Sequence, residues 1–166
     1  MEFGNGYLSP YFINNEAKGI VELEDPFILL LGKKITSINE LLVPLQEAAK
    51  QKKALLIICN DIETEPLSTI VINKIKGVIS ACVVKSPSFG DIRKEVMQDI
   101  ATLTNATYID EDLGMSLDNA NYTVFGSAKR VIVTDKSTTI LDGNGDEEQI
   151  KKRIDNIKQK LESSTN

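Results

Sequence analysis

The chain has 166 residues and a net charge of −5, with acids and bases interspersed. That length supports one domain with a full core, and the absence of a clustered basic face excludes a nucleic-acid footprint. There is no histidine, which removes a histidine general base, a Ser-His-Asp relay and any histidine metal ligand.

No run approaches the ~18 apolar residues of a membrane span, and no charged-then-apolar leader opens the chain, so a soluble protein is expected. Walker and Gly-x-Gly-x-x-Gly loops do not occur. The carboxylates of Asp110-Glu111-Asp112 and of Asp142 to Glu148 read as solvated turns and helix starts.

The first dozen residues hold Phe3, Tyr7, Tyr11 and Phe12, four of the nine aromatics. Termini are commonly small, polar and loose, so rings here imply packing against something. Gly19–Glu24 alternates as a half-buried strand does. Phe27–Leu31 is continuously apolar and reads as a central strand, with Gly32-Lys33-Lys34 turning the chain out of it.

Ser37 to Lys50 reads as a helix opened by a Ser37–Glu40 capping box. Pro44 inside it predicts a kink or an irregular first turn, because an interior proline costs about 3 kcal/mol. Ala54–Cys59 is a short apolar run, a buried strand. The next helix has Thr64 as cap, Glu65 and Pro66 in its first turn and Gly77 as its stop.

Both helices are apolar around much of their circumference. Leu67, Ile70, Val71, Ile72 and Ile75 spread over roughly 200°, where ~100° suffices to pack one face on a core. On the first helix Ile38, Leu41, Leu42, Leu45, Ala48 and Ala49 fill about 120°, with Val43 outside that arc. Either both helices are buried on two sides, or their surplus faces line an exposed apolar groove.

Val78–Val84 reads as a β-branched strand, and Lys85–Asp91 as a breaker-rich loop. A helix follows from Ile92 to Thr104, with Val96, Met97, Ile100 and Leu103 on one face. Thr107–Ile109 is a short strand, followed by an acidic turn and a weak helical piece around Leu117. Arg130–Thr134 and Thr138–Leu141 form a hairpin. From Asp146 a charged helix carries Ile150, Ile154, Ile157 and Leu161, ahead of a loose tail at 162–166. Cys59 and Cys82 each sit in an apolar strand and read as small buried hydrophobes. The class is α/β or α+β, a mixed sheet covered by helices.

Five stretches, in order, carry a resemblance: Gly6-Tyr7-Leu8-Ser9-Pro10-Tyr11-Phe12, Phe27-Ile28-Leu29-Leu30, Pro87 to Lys94, Gln98 to Thr104, and Ala128-Lys129-Arg130-Val131. Together they resemble the apical domain of a group I chaperonin, the GroEL type, over nearly the whole chain. The resemblance implies a single apical domain at 1–161, excised from a longer subunit. Its function would be that of a molecular chaperone fragment, capturing exposed apolar segments of non-native polypeptides and the co-chaperonin (GroES-type) mobile loop. The parent, a ring of such subunits, would serve the bacterial cytoplasm, plastid stroma or mitochondrial matrix.

Carried over by motif, Tyr7, Tyr11 and Phe12 match the family's aromatic segment, Leu42 and Leu45 its first groove helix, and Leu67, Val71, Ile72 and Asn73 its second. ATP and magnesium belong to the parent's missing equatorial domain, whose Gly-Asp-Gly-Thr-Thr-Thr loop does not occur here, so no cofactor and no catalysis are expected of this piece. Two departures stand out: Leu42-Val43-Pro44-Leu45 places the proline one position late, and Ser88 replaces a usual glycine. The rival readings are a subunit-contact module and an α/β enzyme with a strand-end crevice, which would draw on Asp61, Ser86, Ser88 or Asp91.

Overall fold

The computed structural model describes residues 1–88, 90–114 and 124–143. Its strands are β1 (Glu2–Phe3), β2 (Val21–Glu24), β3 (Phe27–Ile35), β4 (Leu55–Ile62), β5 (Ala81–Lys85), β6 (Tyr108–Asp110), β7 (Gly126–Val133) and β8 (Thr138–Gly143). Its helices are α1 (Leu42–Lys50), α2 (Thr64–Ile75) and α3 (Gly90–Thr104). The mixed α/β class expected from the sequence is what forms. The helical piece around Leu117, the helix from Asp146 and the 162–166 tail fall outside the described residues.

Two kinds of sheet meet in one. β3, β4, β5 and β6 are parallel, in spatial order β6-β3-β4-β5. β1, β8, β7 and β2 are antiparallel neighbours. β7 joins the halves, because its first residues pair with β3 before it runs between β2 and β8. Parallel strands are covered on both faces, which is why Leu55-Leu56-Ile57-Ile58-Cys59 reads as an unbroken apolar run and is wholly buried. Crossovers between parallel strands are almost always right-handed, so the return from β5 to β6 beside β3 puts α3 on the face opposite α1 and α2.

β3 corrects one expectation. Gly32-Lys33-Lys34 does not turn the chain; the strand continues to Ile35, with a register irregularity between Leu31 and Lys34. Gly32 is there for clearance: a methyl at that position would lie 2.4 Å from the Tyr108 hydroxyl of β6.

The expected helix from Ser37 opens irregularly. Ile38–Leu41 is a 3-10 turn, and α1 begins only at Leu42. Pro44 then falls in the first turn of α1, where its missing N–H has no helical partner to lose. The capping box forms on the 3-10 turn: Ser37 Oγ accepts from Asn39 N, and Glu40 accepts from Thr36 and Ser37 N–H and from Lys33 at 2.5 Å. Desolvation works against ionising Glu40, but Lys33 and the two backbone donors outweigh it and hold the carboxyl below its usual value.

At α2, Thr64 is the first helical residue and not the cap, a position Glu63 takes. Its other end stops as expected. Gly77 has φ +76°, Val78 N–H donates to Asn73 O and Gly77 N–H to Lys74 O, a Schellman closure. Val78–Ser80 therefore belongs to this stop and its exit, and β5 starts at Ala81.

Candidate functional site

The aromatic segment, the Ile38–Leu41 turn with α1, and α2 lie side by side. α2 packs against both the 3-10 turn Pro10–Phe12 and the turn Ile38–Leu41. Lys74 Nζ donates to Ile13 O at 3.2 Å, tying the C-terminal half of α2 to the chain just past the aromatics. Upstream, Tyr7 N–H donates to Thr134 O and Leu8 N–H to Val83 O, so the segment also closes the free edge of β5.

The expected site residues divide between surface and interior. Leu42 is 41% exposed and Ile72 50%. Tyr11 is exposed too, while Tyr7, Leu67 and Asn73 are half-buried. Asn73 spends its amide on its own helix, donating to Thr69 O at 2.8 Å.

Two groove residues expected to be exposed, Leu45 and Val71, are buried, and so is Phe12 of the aromatic segment. Phe12 is a core residue with no exposed surface. Successive residues of a 3-10 turn point about 120° apart, so Tyr11 and Phe12 cannot both face out, and Phe12 is the one turned inward. Leu45 is 8% exposed and shares the buried face of α1 with Pro44 and Ala48. Val71 is 9% exposed, beside the fully buried Ile70. Because α2 is flanked by two turns, more of its circumference is closed than on a helix with one packed face.

The open apolar surface is made of partly different residues. Val43 stands beside Leu42 on α1, and Ile75 lies one turn beyond Ile72 on α2, with Val78 just past the stop. All three are exposed by half or more of their surface. Sequence pattern had marked two of them: Val43 fell outside the packing arc, and Ile75 belonged to the surplus spread of α2. Val78 was hidden inside an apolar run that reads as strand. On α1, Leu42 and Val43 are exposed beside the buried Leu45; on α2, Ile72 and Ile75 are exposed beside the buried Val71 and the half-buried Leu67; both helices adjoin the Ile38–Leu41 turn.

The four residues a strand-end enzyme would draw on lie in different settings. Ser86 is buried, its Oγ 3.4 Å from Asn60 Oδ1. Asp61 is held below its usual carboxylate range by Ile62 N–H and by Lys85 Nζ at 3.4 Å. Ser88 has φ +61° and gives its carbonyl to Arg93 Nε, and Asp91 is exposed in the first turn of α3. Burial pushes the Cys59 thiol up to about 12 and raises Cys82 as well, so both are protonated and inert at neutral pH.

Among the described residues no helix is long and apolar enough to cross a membrane, and no group of acids and thiols is arranged to hold a metal ion. No family model matches the sequence.

Proposed function

We propose that the chain is a polypeptide-binding domain of the group I chaperonin apical type, and that it captures apolar segments of non-native chains on the α1–α2 surface. One observation carries this reading: Leu42 and Val43 on α1 and Ile72 and Ile75 on α2 are exposed, on two helices whose other faces are core and which both adjoin the Ile38–Leu41 turn. An exposed aliphatic cluster of this kind is unfavourable in water unless something covers it. Burial against an apolar partner returns about 25 cal/mol per Å², without the directionality of hydrogen bonds, so the surface is permissive about sequence. A single such surface binds weakly, because association and ordering costs offset most of the burial. Several copies in a ring would add avidity. A co-chaperonin loop with an apolar tip would occupy the same surface, making release a direct competition. ATP turnover would reside in another part of the parent subunit.

The test is a fluorescence titration with a labelled apolar peptide. Replacing Leu42 and Ile72 together with serine should weaken binding at least about tenfold, since losing two anchors of 1–2 kcal/mol has that effect. Ile92→Ser, an exposed aliphatic on the opposite face, is the control and should leave affinity unchanged. Equal affinity in all three proteins would remove the α1–α2 surface from the function.

A further inference from the structure

Residues 5–8 strap the free edge of β5 to the β7–β8 turn, and the strap is fastened at Asn5. Its side-chain Nδ2 donates to Ser86 O, just past β5, at 3.0 Å. Its backbone carbonyl accepts from Thr138 Oγ1 of β8 at 2.7 Å, and Thr138 is fully buried. Further along, Tyr7 N–H reaches Thr134 O and Leu8 N–H reaches Val83 O, both at 3.1 Å. Between these anchors Gly6 has no room for a side chain. A methyl there would lie 2.1 Å from Thr134 O and 2.4 Å from the Asp135 carbonyl carbon. The fold therefore demands glycine directly after Asn5.

That demand has a chemical consequence. An asparagine side chain cyclises when the next backbone nitrogen reaches its carbonyl carbon, and glycine, with no Cβ, shields that nitrogen least. Among the described residues nothing accepts from Gly6 N–H, so no hydrogen bond ties the nitrogen down. Asn5 is half-buried rather than sealed, so water reaches it. We propose that Asn5 is a deamidation site and that its conversion unfastens the strap. Gly6 N attacks the Asn5 side-chain carbonyl carbon and gives up its proton to water. A new C–N bond forms, the bond to Nδ2 breaks, and ammonia leaves. Water then opens the succinimide at either carbonyl, giving aspartate or isoaspartate. The Ser86 bond is the gate: while Nδ2 is held there the side chain is not free to turn toward Gly6 N.

Either product removes the fastening. Aspartate has no N–H to give, so a carboxylate oxygen faces the Ser86 carbonyl, acceptor against acceptor. Isoaspartate lengthens the backbone by one methylene between the Thr138 and Thr134 anchors, where Gly6 already has no clearance. Once released, the strap leaves the outer edge of β5 unpaired, a template for association. The inference is independent of the polypeptide-binding reading.

Peptide mapping of the folded full chain in mildly alkaline buffer tests the chemistry. Asn5 should convert, several-fold more slowly than in the same chain held in urea, with the Asn144-Gly145 pair read separately in the same digest. An Asn5 that stays intact while the urea sample converts would overturn the proposal, and equal rates would overturn the gate at Ser86. Hydrogen exchange on Asn5→Asp, the aspartate product made directly, tests the consequence. The Tyr7 and Leu8 amides should exchange at least about fivefold faster than in wild type, with the β4 amides of Leu56 to Ile58 unchanged. Unchanged exchange at Tyr7 and Leu8, or acceleration that spreads through β4, would overturn the release of the strap.

Discussion

β4 and the second half of α2 are about equally rich in branched aliphatics, yet they use them in opposite ways. Leu55 to Cys59 are buried to the last side chain, because a central parallel strand has covered faces on both sides. Ile70, Val71, Ile72 and Ile75 sit on one helix, and their exposures run from none to 62%. A strand offers two faces and the sheet takes both. A helix offers a full circle, and its neighbours here, the Pro10–Phe12 and Ile38–Leu41 turns, leave part of that circle open. Apolar content alone does not separate core from binding surface; the number of covered directions does.

The sharpest break in this comparison is at Ile57 and Ile70, both without exposed surface. Ile57→Ala or Ile70→Ala should each destabilise the domain by about 2–5 kcal/mol, through lost burial and a residual cavity. Denaturant melts would register it as a lower midpoint at unchanged slope. A loss below ~1 kcal/mol at Ile70 would mean that α2 is not clamped against the core as described.

A smaller effect is expected where the chain enters α1. Ser37→Ala removes the hydroxyl that receives Asn39 N–H, and a lost cap of this kind costs about 1 kcal/mol. Glu40 adds a pH signature. Its folded value lies below the usual 4.5, so its contribution is present above that pH and is lost as pH falls through the lower folded value. The stability gap between wild type and Glu40→Gln should therefore be open at pH 7 and narrow toward pH 3. A gap that stays constant with pH would show that Glu40 is not held by Lys33 and the backbone donors.

How much of this was legible beforehand follows from what each sequence signal measures. Continuous runs such as Phe27–Leu31 and Ala54–Cys59 marked buried strands, because doubly covered strands tolerate them, whereas the Val78–Val84 run reads as strand three residues too early. The Asp135-Lys136-Ser137 connection marked the β7–β8 hairpin. β3 ran on through Gly32-Lys33-Lys34 because Gly32 answers to the Tyr108 ring across the sheet, a tertiary demand that a turn-like triplet conceals. Likewise, helical periodicity located the surplus apolar residues of α1 and α2 but not which of them would be covered. It grouped Leu45 with Leu42 and Val71 with Ile72, pairs that packing then separated. For Tyr11 and Phe12, no periodic signal exists in a three-residue turn.

The smallest expected stability change is also the one that discriminates most. Ile72 lies two residues from Ile70 on the same helix and is half exposed. Ile72→Ala removes three carbons from a surface with little to lose, and alanine is the better helix former, so stability should move by no more than about 0.5 kcal/mol in either direction. The same substitution should measurably weaken apolar-peptide binding. A stability loss approaching that of Ile70→Ala, read in the same melt, would mean that Ile72 is covered by another part of the molecule. The difference between β4 and α2 would then disappear, and with it the physical basis for an open apolar surface.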